Sequence, residues 1–307
     1  MPTAYITHPS CRLHDMGSHH PECPDRLDAI NDRLISAGLD GHLTHYTATP
    51  AEREHLERVH GSDYLDALEA ASPTAGLHAI DPDTAMNPHS LSAALHAAGA
   101  VVLATDLVMR GECQRAFCAV RPPGHHAERH RAMGFCLINS IAVGAAHALA
   151  AHGLERVAVV DFDVHHGNGT EDIFTDHEQV LMVGTFQYPL YPYSGVDTRA
   201  SNMVNVPLSA GSGGEAFRAA VTSKWLPALE AFRPEMLFIS AGFDAHREDP
   251  LAGLQFSDAD YAWVTRELVA VANRHAQGRI VSSLEGGYAL AALGRSAAEH
   301  VRELLAA

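Results

Sequence analysis

The chain has 307 residues, 47% of them hydrophobic and 19% charged, which is enough for one large α/β domain with an ample core. Its formal charge of −16, with no Lys/Arg-rich run, argues against a nucleic-acid backbone as partner; it would suit a cationic substrate or simply maintain solubility. Five cysteines without a C-x-x-C pair point to reduced thiols and a cytoplasmic setting, and neither a signal peptide nor an uncharged apolar run of roughly 18 residues is evident.

Short apolar runs alternate with Ala-rich amphipathic segments, the pattern of a mostly parallel sheet flanked by helices. A strand is expected at Ala4–Thr7, then helices over Pro24–Ala37 and Pro50–Val59, where Pro50 after Thr49 reads as a first-turn proline behind an N-cap. Ser72–Asn87 is the least regular stretch and is expected as a surface loop near the mouth of a site. Helix Pro88–Met109, strand Arg115–Val120, helix Ser140–His152 and strands Val157–Asp161 and Val180–Thr185 follow. Helix Gly214–Phe232, strand Met236–Ala241, helix Asp258–Arg274, strand Ile280–Leu284 and helix Leu290–Leu305 complete the pattern. No repeat or linker divides the chain, so a single domain over 1–307 is expected.

In open parallel sheets ligands bind beyond the carboxyl ends of the strands, and most of these strands run into polar loops there. In "VVDFDVHHGNG" the residues at i, i+2 and i+4 of an extended chain, Asp161, Asp163 and His165, would share one face. A solvated strand end or a helix cap would account for them equally well. However, "EMLFISAGFDAH" runs from an apolar strand into Asp244, and if the two strands are neighbours, Asp163, His165 and Asp244 could meet above the sheet. Two carboxylates and one imidazole leave open positions, as a catalytic metal site does, and suit Zn²⁺, Fe²⁺ or Co²⁺. His166 should point away and is read as structural.

The loop "RPPGHHAE" sets His125 and His126 behind a stiff turn. An isolated His pair is usually a surface feature, but after a buried strand the two could divide base and acid tasks. Asp161 and Asn168 are their natural partners; an ionised Asp raises its histidine's basicity and a neutral Asn does so much less. In "SSLEGGYAL" the glycines let backbone pass close to a ligand, and Tyr288 could donate to an oxyanion, although a tyrosine after a turn is more often packing.

Together with "HPECPDRL", "DPDTAMNPHS", "MGFCLIN" and "YPLYPYSG", these segments occur in an order that resembles the histone deacetylase superfamily over nearly the whole chain, its class II-like bacterial amidohydrolases and acetylpolyamine amidohydrolases included. The resemblance implies a single-domain arginase/deacetylase-like α/β fold and a metal-dependent amidohydrolase, zinc being the expected cation. It places metal ligation on Asp163, His165 and Asp244, the acid/base pair on His125 and His126, their partners on Asp161 and Asn168, and the oxyanion-polarising hydroxyl on Tyr288. Phe135 matches one aromatic wall of an acyl-lysine channel, and Gly134 the residue whose carbonyl meets the substrate amide. Tyr191 stands where the other wall is usually Phe, and Leu251 where polyamine-preferring relatives can carry an acid. Gly184 lacks a hydroxyl that in relatives helps bind structural potassium near Asp161, so that ion stays open. The implied substrate is an acyl-lysine side chain, with an acetylated polyamine or other small amide as the rival. A two-metal arginase-like hydrolase, which would need more Asp ligands, is disfavoured because the sequence supplies one ligand set plus Tyr288, and a metal-binding sensor with a dead site because both histidines and Tyr288 are present together. No nucleic-acid or membrane partner is expected, and oligomeric state, a homo-oligomer included, is left open.

Overall fold

Five of the apolar runs are buried along their whole length, as parallel strands between two helical layers must be. In the computed structural model, which describes residues 2–306, they form the centre of an eight-stranded sheet. The strands are β1 (Thr3–Thr7), β2 (Leu43–Thr47), β3 (His78–Ala79), β4 (Ala85–Met86), β5 (Arg115–Cys118), β6 (Val157–Asp161), β7 (Val180–Gln187), β8 (Met203–Leu208), β9 (Met236–Ala241) and β10 (Ile280–Leu284). The main sheet runs β2-β1-β5-β10-β9-β6-β7-β8 with every adjacent pair parallel, while β3 and β4 form a separate short hairpin. One register row crosses the middle of the sheet through Cys118, Ser283, Ser240, Asp161 and Gly184.

Helices Ser90–Met109 and Ser140–His152 pack together on one face, and Asp25–Ser36, Asp258–His275 and Leu290–Leu305 form the other layer. By length and composition alone Ser90–Met109 would suit a membrane span. It instead packs against β1, β5 and β10, and its alanines permit close approach to the sheet.

The structure revises several sequence expectations. Pro50 lies outside a helix that covers only Arg53–Glu57; Ala51 N–H donates to Leu95 O at 2.8 Å, and Glu52 and His55 form the cap instead. A further helix, Ser62–Ala71, follows. The segment Gly214–Phe232 is interrupted by a π-turn at Val221–Trp225. Strands β2 and β8 and the short helix Asn168–Phe174 had no expectation, because their polar residues mask the period that marks buried strands. Ser72–Asn87 holds the β3–β4 hairpin and brings Asp83 to the site's mouth.

Candidate active site

The loops after β5, β10, β9 and β6 carry "RPPGHH", "EGGY", "GFDAH" and "DVHHGNG", and these four strands are neighbours in the sheet. Pairing of β6 with β9 is what brings Asp244 to Asp163 and His165. The alternation argument does not extend that far, since β6 ends at Asp161. Beyond it, carboxylates capping backbone amides shape the loop: Asp163 N–H donates to Asp161 Oδ1 at 3.0 Å and His165 N–H to Asp163 Oδ1 at 2.9 Å.

The donor atoms of Asp163, His165 and Asp244 lie within 4.8 Å of one another. His165 Nδ1 is 3.0 Å from Asp163 Oδ1 and 3.2 Å from Asp244 Oδ2. Val164 N–H donates to Asp244 Oδ1 and Gly286 N–H to Asp163 Oδ2, each at 2.8 Å. A Cβ at Gly286 would overlap both Asp244 Oδ2 and Asp163 Oδ2, so this position needs glycine. Asp244 Oδ2 is buried and, despite the nearby His165 Nδ1, forms no hydrogen bond among the described residues. Burial and then the charge of Asp163 push the Asp244 carboxyl up to about 7, while His125 and His165 overcome burial to hold Asp163 well below the usual range. Two buried acids around one imidazole with an orphaned oxygen suit a divalent cation, and the mixed N/O set fits one with open positions.

His125 and His126 sit ring to ring, centroids 4.1 Å apart. His125 Nδ1 donates to Asp161 Oδ2 at 2.9 Å. Burial opposes its charge, but Asp163 and Asp161 outweigh burial and hold the imidazole well above its ordinary value. His126 Nδ1 lies 2.7 Å from Asn168 Oδ1. The amide's orientation is fixed because Asn168 Nδ2 donates to Glu128 Oε1 at 2.7 Å, which leaves Oδ1 to accept the Nδ1 proton of His126. Burial, then the charges of His125 and His165, hold His126 well below the ordinary value, so it is neutral and its Nε2 lone pair is free. His166 lies outside this group, bonded to Glu171 at 2.9 Å and Ser194 at 2.8 Å.

A cavity of about 220 Å³ opens over His126 and His165, lined by Gly134, Phe135, Tyr191, Leu251 and Tyr288 together with Asp83 and Leu190. The last two escaped the sequence reading. Gly134 has φ +57°, and a Cβ there would overlap the His126 ring. Phe135 meets Tyr288 edge to face at 5.9 Å, and Tyr191 stands edge-on to His126 at 5.3 Å with its hydroxyl unpartnered among the described residues. Tyr288 and Ala289 N–H both donate to Asp249 Oδ2, at 2.7 and 3.2 Å. Burial first, then Asp244 and Asp163 against an opposing Arg26, push the phenol well above its usual value, so it remains an O–H donor. Gly184 pairs with Asp161 and presents no hydroxyl there. Cys136 is fully buried and donates its thiol to Gly134 O at 3.3 Å, a packing role.

A family model described as the histone deacetylase domain matches residues 20–304. The chain belongs to the histone deacetylase family. It is 40% identical over 277 residues to the histone deacetylase-like amidohydrolase of Pseudomonas aeruginosa, covering 88% of this chain and 72% of that one. It is 35% identical over 298 residues to a probable deacetylase of Archaeoglobus fulgidus, covering 94% and 82% of the two chains. A crystal structure described as the HDA15 HD domain superposes with a TM-score of 0.93 at 36% identity, covering 99% of this chain and 88% of that one. Membership supports a hydrolase of the deacetylase and amidohydrolase type.

This deacetylase-family site rests on a buried foundation that the sequence reading did not assign. Glu22, Arg26, Arg121 and Glu285 are almost fully buried. Glu22 accepts from Arg26 Nη1 at 2.9 Å and from Arg121 Nη2 at 2.6 Å, and these guanidiniums overcome burial to keep its carboxyl low. Arg26 also donates to Gly287 O at 2.7 Å and to Glu285 O, and lies 5.0 Å from the Tyr288 ring centroid. Glu285 accepts from Gly124 and His125 N–H at 2.7 and 3.1 Å and from the Ser240 hydroxyl at 3.2 Å, with burial pushing it up to about 7. The available signals were Glu22 and Arg26 inside "HPECPDRL" and the acid of "LEGGY".

Proposed function

We propose that this chain removes an acetyl group from a primary amine, an acyl-lysine side chain foremost, as a metal-dependent hydrolase. The observation that carries this reading is the cluster of Asp163, His165 and the buried Asp244, whose Oδ2 forms no hydrogen bond among the described residues, with His165 lining a cavity that also holds His126 and Tyr288. Asp163, His165 through Nδ1 and Asp244 would hold the cation, with Zn²⁺ expected and Fe²⁺ or Co²⁺ also suited to the set. Such a cation supplies Lewis-acid polarisation of a carbonyl and activation of water. His126 takes the proton of the attacking water at Nε2 and later delivers it to the departing amine. His125, kept cationic beside Asp161, contributes positive charge next to the reacting centre. The Tyr288 hydroxyl donates to the oxyanion as it develops. Phe135 and Tyr191 flank an extended aliphatic chain and align the amide over His126.

A second reading, a small acetylated polyamine, draws support from the Asp83 carboxylate on the cavity wall, whereas Leu251 offers a cation nothing. Turnover of an acetyl-lysine peptide against N-acetylputrescine, with metal content measured on the same sample, separates the two. Tyr288→Phe should retain fold and metal and lose about 10²–10³ in kcat. An unchanged kcat would remove Tyr288 from the mechanism.

A further inference from the structure

Away from these loops, a second group of donors gathers where helix Ser140–His152 ends, shortly before β6 starts and so at the opposite end of the strands from the candidate active site. His147 Nε2 and His152 Nε2 lie 2.8 and 2.7 Å from the same oxygen, Asp106 Oδ1 of helix Ser90–Met109. All three donor atoms are within 4.8 Å of one another. His147 is nearly buried, while the side chains of His152 and Asp106 are 21% and 30% exposed, so the group is built into the fold yet open to solvent. A third imidazole, His55, stands edge-on to His147 at 5.0 Å, and a cavity of about 200 Å³ lined in part by His55, Glu52 and Asp106 opens beside the group.

We propose that Asp106, His147 and His152 form a second divalent-cation site, of a two-imidazole, one-carboxylate type suited to Zn²⁺, Ni²⁺ and above all Cu²⁺. Its donors differ from those of the active site, which offers a single imidazole. The position favours positive charge twice, through the Asp106 carboxylate and through the carbonyl end of helix Ser140–His152. In the ion-free arrangement both imidazoles donate N–H to Asp106, and Arg58 Nη1 donates to His147 Nδ1 at 2.9 Å. Ligation moves the His147 proton from Nε2 to Nδ1, so Arg58 has to withdraw. Its other nitrogen already donates to Glu54 at 2.8 Å, a pairing that can retain it. Arg58 is therefore a built-in competitor of the ion, and Arg110, 4.0 Å from Asp106 Oδ2, is the other cation facing the carboxylate. Binding ties the two core helices together and stabilises the folded state by mass action.

The test is titration of the full-length metal-free chain with Cu²⁺, following ions bound per chain and the nitrogen hyperfine pattern in EPR. Wild type should bind two ions and His152→Ala one, with deacetylation of an acetyl-lysine peptide by the zinc-loaded variant unchanged. Arg58→Gln should tighten the second ion. His165→Ala should keep one ion whose spectrum shows two nitrogens, which separates this site from any failure of the active-site reading. Equal stoichiometry in wild type and a folded His152→Ala variant, or a one-nitrogen spectrum in His165→Ala, would overturn the assignment.

Discussion

His125 and His126 are neighbours in sequence and their tilted rings lie 4.1 Å apart, yet one partner atom separates their behaviour. A carboxylate oxygen of Asp161 faces the first and an amide oxygen of Asn168 faces the second. Both rings are buried, and burial alone would neutralise both. The carboxylates reverse that outcome only at His125, which stays cationic, and its charge in turn helps keep His126 neutral. Identical side chains thus become a fixed charge and a proton acceptor through the electrostatics of what stands behind them.

The harshest attempt to break this contrast is removal of each ring. His126→Ala should lower kcat by about 10²–10⁴, as expected for loss of a general base, with a smaller loss for His125→Ala. The reverse ranking in steady-state kinetics would exchange the two roles. Exchanging partners is milder. Asp161→Asn and Asn168→Asp should each cost about 10–100-fold in activity, the usual range for groups that orient reacting side chains. Asn168→Asp should also raise the pKa of His126, moving the acid limb of the kcat/KM profile to higher pH, because the base must be unprotonated to act. An unmoved limb would mean that another group sets it.

The smallest effect belongs to a third buried imidazole with no carboxylate beside it. His300 is held between the hydroxyls of Thr265 at 2.7 Å and Ser282 at 2.8 Å, and burial lowers it from 6.5 to about 3. The folded state then binds fewer protons than the unfolded chain at mildly acidic pH. Its contribution to stability is full above about 6.5 and is lost progressively as pH falls toward about 3. Such a group adds at most ~1.4 kcal/mol per pH unit. Chemical denaturation of His300→Gln should show a flatter pH dependence than wild type between those limits.

How much of this was legible in the sequence follows the range of the interactions. β6 is an apolar run ending in Asp161 and β9 a largely apolar run followed three residues later by Asp244, so both strands and the acids beyond them were visible locally. β2, an edge strand with the sequence Leu-Thr-His-Tyr-Thr, has mostly exposed residues and no readable period. The shared face expected of Asp161, Asp163 and His165 does not arise from strand alternation, since capped turns replace strand geometry after Asp161. Glu285 went unassigned because the amides it binds lie 160 and 161 residues away, a relation set by the β5–β10 register. The role of Glu128 likewise exists only once Asn168 is in place to be oriented.

The Glu22–Arg26–Arg121 foundation carries a consequence for how this chain can diverge. Glu22 is shared by two buried guanidiniums, one of which reaches the backbone beneath Tyr288, while the other holds the carbonyls of Cys11 and His14. Loss of the shared acid would strand two cations out of reach of water, whereas loss of either cation leaves the acid with the other guanidinium and His14. Change at the cavity wall can proceed one residue at a time, because Tyr191 and Leu251 depend on no such exchange of charge. The floor must change as a set. The geometry that places Tyr288 should therefore outlast many changes in what the cavity admits.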